Sequence, residues 1–523
     1  MTQTTVVRDV ETGPVRGLAH RTYSAFYSIP YAAPPIGAAR FQEPRKHPAW
    51  TGVLDATVPG PTAPQLPRGD LGPLDVTAYF APGWNRGEDY LTVNIWTPPQ
   101  APAFAFRQAP VLVYVHGGAF IAGSGHSPLL DGRRFAERGI IVVTVNYRLG
   151  LPGFLDIDGA PRNRGLADVA AALGWVRRNI ANFGGDASNI TLAGHSAGAI
   201  LIAAAIASRD LPQGLFQRAI MQSGSGTAAF TTEQAAIVRE TAAKALGIPA
   251  TLESFAALTD EELLAVTPTL MGTDLATTAA RDPLQKITPL GVVLDEQPAT
   301  TVARGLGQDV DLLIGHTTEE GNLYLLPSGA LDATTSADLH AAAAYAHHDP
   351  EHLLNVYKGT HPGAGPGELR SIILGEAAFG TGSRTMADNH AAAGTRSTFA
   401  YVFAWQSTAL NGRLGATHIV DVPFAFDNIT PQLQADNLLL GSTPPPRHVA
   451  RTMHAAWCEF IATGSPGWKP YDQADRATMI LDEHSTLAID PYAAERAAWT
   501  RRQCRRAHAY CTCTRRHGCD QVG

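Results

Sequence analysis

The chain has 523 residues, of which 45% are hydrophobic and 17% charged, with 50 Gly, 37 Pro and five Cys. This apolar share suits a soluble globular protein with a large buried core. The balance of 40 Lys+Arg against 47 Asp+Glu, formally −7, gives no basis for a nucleic-acid or anionic-membrane partner.

The first nine residues, from Met1 to Asp9, lack a basic stretch followed by an apolar one. No secretory signal is therefore expected, and the expected location is the cytoplasm. The longest apolar run, near 198–207, is about half the ~20 residues a membrane span needs. Cys458 is the lone cysteine of residues 1–500, whereas Cys504, Cys511, Cys513 and Cys519 crowd the end. No internal disulfide can form in that body.

Taken in chain order, residues 1–110 are rich in Pro and Gly and read as short strands and turns with little helix. Val111-Leu112-Val113-Tyr114-Val115 is a continuous apolar run ending before His116-Gly117-Gly118, as expected of a strand buried on both faces. Residues 140–145 form a second such run. Residues 165–180 have helical spacing, with Leu166, Val169, Leu173 and Val176 on one face. Residues 189–193 read as a strand that leads at once into a small-residue helix over 197–208. Later strands are expected at 312–314 and 401–404, and Ala-rich helical stretches over roughly 220–310 and 330–395. Strands alternating with helices predict an α/β chain with a mostly parallel, doubly wound sheet.

The strongest local motif is Gly194-His195-Ser196-Ala197-Gly198. As a pentapeptide it can arise by chance, or as a glycine-rich turn with a helix-capping Ser. Its place between a strand and a helix is what marks a nucleophile elbow, where small flanking residues let strand and helix pass closely while Ser196 is held towards substrate. A serine hydroxyl needs a base, an acid to orient that base, and donors for the oxyanion. Gly117 and Gly118, after the buried strand, supply candidate backbone donors together with Ala197.

The chain resembles the type-B carboxylesterases, the carboxylesterase/cholinesterase family of α/β-hydrolases. The resemblance rests on ordered matches from about residue 5 to residue 500. They include Ile29-Pro30-Tyr31 with Arg40-Phe41, Glu88-Asp89-Tyr90-Leu91-Thr92-Val93-Asn94 and His116-Gly117-Gly118. Asn146-Tyr147-Arg148-Leu149, Asp168, Asn182-Phe183-Gly184-Gly185-Asp186, the Ser196 elbow and Gln222-Ser223-Gly224-Ser225 follow in register. The resemblance implies an α/β-hydrolase fold with helical insertions near the active site. It also implies an acid at Glu320 within Glu319-Glu320-Gly321, and a base at His418 within Gly415-Ala416-Thr417-His418. Ser223 and Asp421 match a supporting pair behind the base. The implied chemistry is attack by Ser196, proton transfer through His418, orientation by Glu320 and hydrolysis of an acyl-enzyme, with no metal or cofactor.

Two departures bear on specificity. The family's Cys after Glu-Asp is Tyr90 here, so the loop over 65–88 lacks a disulfide staple and is expected to act as a lid or rim. Tyr79, Phe80 and Trp84 in that loop are expected to form an apolar wall. His195 stands where cholinesterases carry Glu, which weakens the case for a cationic choline ester.

The expected activity is hydrolysis of small or aromatic uncharged carboxylic esters, with aryl carbamate hydrolysis as the alternative on the same triad. A distant alternative is a non-catalytic cholinesterase-like interaction module, disfavoured by an intact Ser196, Glu320 and His418. The sequence does not distinguish a monomer from a weak homodimer. Residues 1–500 are expected to be one elaborated hydrolase domain. Residues 501–523, with six Arg against one Asp, read as a disordered basic appendage. Cys511, Cys513, His517 and Cys519 suggest zinc, but their spacing fits no standard module.

Overall fold

In the computed structural model, residues 4–68, 70–99 and 108–500 are described. The apolar run at 111–115 lies inside a large twisted sheet, and its alternate residues feed two separate cores. Val111, Val113 and Val115 pack into one cluster, while Leu112 and Tyr114 pack into the other. A strand buried on both faces has this continuous apolar pattern because each face meets its own layer of helices.

The sheet contains β1 (Thr5–Val10), β2 (Gly13–Ala19), β3 (Ser24–Pro30), β4 (Thr92–Thr97), β5 (Ala109–Val115) and β6 (Ile141–Val145). It continues with β7 (Gly185–His195), β8 (Arg218–Gln222), β9 (Asp311–Thr317), β10 (Thr398–Phe403), β11 (Ala477–Leu481) and β12 (Thr486–Ile489). Their spatial order is β1-β2-β3-β4-β6-β5-β7-β8-β9-β10-β11-β12, with the short strand Leu54–Asp55 beside β2. From β6 through β11 all neighbours are parallel, and antiparallel strands close both ends. This is the expected α/β architecture.

β8, whose five residues sit among small and polar ones, and the two C-terminal strands β11 and β12 are not among the expected strands. β8 matters because its register fixes the site: His195 pairs with Gln222, and Gln222 with Gly315. The carboxyl ends of β7, β8 and β9 are therefore level, which is where open parallel sheets place their ligands.

Helix α1 (Arg164–Asn179) buries Leu166, Val169, Leu173 and Val176, the stripe expected from its spacing. Helix α2 (Ala197–Ile206) is apolar all round, and all ten of its residues are buried, so it runs through the interior. A third, smaller core joins α3 (Ser336–Ala346), α4 (Pro350–Thr360) and α5 (Pro366–Gly375) to Ala498 of α6 (Ala493–Thr500). Among the described residues no helix is long and apolar enough to cross a membrane. Cys458 is free and buried. The expected appendage and its four cysteines lie outside the described residues.

Candidate active site

Ser196 occupies the turn between β7 and α2 with φ 55 and ψ −124, a conformation that L-residues adopt only under constraint. The constraint is packing. A Cβ on Gly198 would sit 2.2 Å from the Val115 carbonyl oxygen and 2.7 Å from that of His116, so only glycine lets α2 approach β5 this closely. The Ser196 amide donates to the Gln222 carbonyl at 2.9 Å, extending the β7–β8 pairing up to the nucleophile.

The structure brings together the three residues assigned by resemblance. His418 Nε2 is 2.8 Å from Ser196 Oγ, and His418 Nδ1 bonds Glu320 Oε2. An ionised carboxylate only accepts, so Nδ1 carries the proton and Nε2 is left to accept from Ser196. The Thr317 amide donates to Glu320 Oε1 at 2.8 Å. Burial raises the Glu320 pKa, but the neighbouring His418 charge and hydrogen bond, with the Ser223 hydroxyl and Thr317 amide, outweigh it. The net shift is downward, which keeps Glu320 ionised. All three side chains are buried to within a few per cent.

The imidazole of His418 is held on its faces by rings. Phe379 stacks on it at 4.4 Å between centroids, and His195 lies at 4.5 Å on a tilt. Phe379 belongs to a π-helical turn, Glu376–Gly380, a rare local geometry often found at functional sites. Nothing in the sequence pattern marks this turn. Burial, and then the nearby His418, drive the His195 pKa well below the usual histidine value, so His195 is neutral beside the base.

Ser223 lies near Glu320, as its effect on that carboxyl shows, yet its Oγ meets no partner at hydrogen-bonding geometry. Asp421 Oδ2 accepts from Gln222 Nε2 at 3.0 Å and from the Tyr401 hydroxyl at 3.2 Å, while Oδ1 is buried and unpartnered.

Ser196 and His418 open onto a cavity of about 360 Å³, enough for a small or aromatic ester. Gly118 and Ala119 line it, with Ala119 at φ 58. Gly117, an expected donor, borders a small neighbouring void, and a Cβ on it would lie 3.0 Å from Ser196 Cβ. A Cβ there would lie 2.6 Å from the Tyr79 hydroxyl. Ala119 is not among the expected donors, because a left-handed alanine after two glycines is not legible from residue type. The loop is anchored from behind: Tyr147 stacks on His116 at 4.5 Å and donates to its carbonyl at 2.9 Å.

The segment 65–88 forms one wall of the cavity through Arg68, Leu71, Gly72, Val76, Tyr79 and Phe80. It is bonded to the body by Gln65, whose Oε1 accepts from the Gly123 amide at 2.9 Å, and by Tyr79, whose hydroxyl is 3.1 Å from His195 Nδ1. Tyr79 and Phe80 are the expected wall. Trp84 is not; it lies beneath the Arg86 guanidinium at 4.0 Å, away from the cavity lining.

Comparison with known proteins gives one answer. The model of the Carboxylesterase family matches residues 4–499. The chain is 34% identical over 503 residues to the para-nitrobenzyl esterase of Bacillus subtilis (strain 168), covering 92% of this chain and 96% of that one. It is 31% identical over 493 residues to the phenmedipham hydrolase of Pseudarthrobacter oxydans, covering 91% and 95%. A solved PNB esterase aligns with a TM-score of 0.80 at 31% identity, over 95% of this chain and 99% of that one. The carboxylesterase EST55 of Geobacillus stearothermophilus aligns with a TM-score of 0.79 at 32% identity, over 94% and 99%. With an elbow serine, an imidazole and a carboxylate converging at the ends of its parallel strands, this chain belongs to the carboxylesterase family of α/β-hydrolases and is a carboxylic ester hydrolase.

Proposed function

We propose that Ser196, His418 and Glu320 are the nucleophile, base and acid of a serine esterase acting on small or aromatic uncharged esters. The observation that carries this reading is the chain of contacts Ser196 Oγ, His418 Nε2, His418 Nδ1, Glu320 Oε2 at the wall of the cavity. As Ser196 Oγ attacks the ester carbonyl, its proton passes to His418 Nε2. Glu320 holds the tautomer that accepts this proton and stabilises the resulting imidazolium. The amides of Gly118, Ala119 and Ala197 are the donors for the tetrahedral oxyanion, since the first two border the cavity and the third follows Ser196 directly. Gly117 then serves to admit the Tyr79 hydroxyl. His418 returns its proton to the leaving alcohol, and water hydrolyses the acyl-enzyme by the same path in reverse.

Residues 1–500 act as one unit in this reading, supported by the continuous sheet and by the packing of α6 on the third core. A cytoplasmic setting is supported by the single unpaired Cys458 of the body. A second reading, aryl carbamate hydrolysis, is favoured by the likeness to phenmedipham hydrolase and uses the same residues. The test is turnover of p-nitrophenyl butyrate and of one aryl carbamate by the wild type and Ser196→Ala. Removing a triad nucleophile should cost on the order of 10⁶ in kcat. Activity that survives the substitution overturns the assignment. The ratio of the two substrates decides between ester and carbamate.

A further inference from the structure

Among the described residues lining the active-site cavity, Arg68 is the one with a permanent charge; the others are apolar or small, or carry hydroxyl or imidazole groups. Its environment is unusual for an arginine in an acidic chain. The guanidinium lies 5.7 Å from the Phe80 ring centre, and the polar group that faces it electrostatically is the Tyr324 phenol. Among the described residues no carboxylate pairs with it. Arg86, in the same loop, shows the ordinary alternative, since it is exposed and paired with Glu261. Glu320, the carboxylate of the triad, is committed to His418 and Thr317. Burial lowers the Arg68 pKa, the mark of a cation partly stripped of water with no carboxylate among the described residues to compensate. A planar guanidinium against an aromatic ring keeps its edge N–H groups free for a carboxylate.

We propose that Arg68 forms an anion subsite of the esterase cavity, one that receives a carboxylate carried by the substrate away from the scissile ester. This rests on the esterase reading and extends it: besides uncharged esters, the site takes hemiesters of dicarboxylic acids or esters of carboxyphenols. Tyr79 and Phe80 hold the apolar body of the substrate, and Arg68 anchors its charged end in the same space that exposes Ser196. Neutral His195 beside the nucleophile adds no negative charge to repel such a substrate.

The experiment measures kcat/KM for four esters on each protein sample. They are p-nitrophenyl valerate, its charged counterpart p-nitrophenyl hemiglutarate, phenyl butyrate and its charged counterpart 4-carboxyphenyl butyrate. The first pair places the carboxylate on the acyl side and the second on the alcohol side. In Arg68→Gln, the charged-to-neutral ratio of one pair should fall about tenfold, mainly through KM, and Arg68→Lys should retain part of it. Salt should erode the wild-type ratio and leave that of Arg68→Gln flat. Ratios within about twofold of wild type in both pairs overturn the subsite while leaving the esterase reading intact. Failure of wild type to hydrolyse the neutral esters, or their hydrolysis by Ser196→Ala, overturns the reading itself. Because each ratio is taken on one sample, partial misfolding of a variant cancels.

Discussion

The Tyr79 hydroxyl lies 3.1 Å from His195 Nδ1, so a side chain of the cavity wall is bonded to the residue that immediately precedes the nucleophile. His195 Nε2 is buried and has no other partner, which makes Tyr79 the one polar restraint on that ring among the described residues. Since the His195 ring also packs against His418, the wall loop and the base are coupled through two contacts.

Tyr79→Phe should therefore leave a buried imidazole unbonded and release the wall from the elbow. Unfolding free energy should fall by about 1 kcal/mol. The kcat/KM for p-nitrophenyl butyrate should fall roughly 3- to 10-fold as the wall and base lose alignment. Denaturant titration and steady-state kinetics check the two effects separately; an unchanged kcat/KM would show that the bond does not position the site.

Asp421 sets a pH dependence of stability. Burial pushes its carboxyl up to about 6, opposed by the Gln222 hydrogen bond and supported by the Glu320 charge. The folded protein thus keeps this proton where the unfolded chain, at its ordinary value near 3.8, has lost it. The stability from this group is fully present below that unfolded value and is lost as the pH rises through about 6. The loss is on the order of 2–3 kcal/mol. Asp421→Asn removes the charge at every pH, so it should be more stable than wild type at pH 8 and lose that advantage near pH 4. Urea unfolding of both proteins across this range tests the sign, and a pH-independent difference would refute it.

Arg148 and Asp168 explain two of the residues that carried the family resemblance. Both are fully buried, with Arg148 Nη2 at 2.7 Å from Asp168 Oδ1 and Nε at 2.8 Å from Oδ2. The Arg148 amide also donates to Asp168 at 3.0 Å. Asp168→Ala should lower stability by about 3–5 kcal/mol, because it strands a buried guanidinium. The double variant Arg148→Met with Asp168→Leu should cost less than the single one. Additive losses in a double-mutant cycle would contradict this account.

Every step proposed for catalysis uses side chains and backbone amides of this chain. Dialysis against EDTA should therefore leave p-nitrophenyl butyrate turnover within experimental error of the untreated enzyme. A loss restored by added divalent metal would expose a missing component.

The last described helix, α6, is part of the packed body: Ala498 is buried and Trp499 Nε1 donates to the Tyr357 hydroxyl at 2.9 Å. A chain ending at Thr500 should retain full esterase activity. One ending before Ala493 should lose thermal stability by several degrees, since the third core is uncovered. Thermal melts with activity assays on both truncations decide the point.

The sequence alone determined what is local. The strand, turn and helix around Ser196 occupy contiguous residues, and their apolar runs and flanking glycines report backbone constraints directly. The buried parallel strands were legible for the same reason, since a segment covered on both faces must be apolar throughout. Glu320 and His418 came from family resemblance, because residues 98 and 222 positions from their partners leave no local pattern. Tertiary structure decided the rest. It put Ala119 beside Gly118 on the cavity wall, set Trp84 against Arg86 instead, gave Asp421 to Gln222 and Tyr401, and left Arg68 facing the site with no carboxylate paired to it among the described residues. Each of these is set by which distant atoms come within a few ångströms, a property of the folded packing that residue type and spacing do not encode.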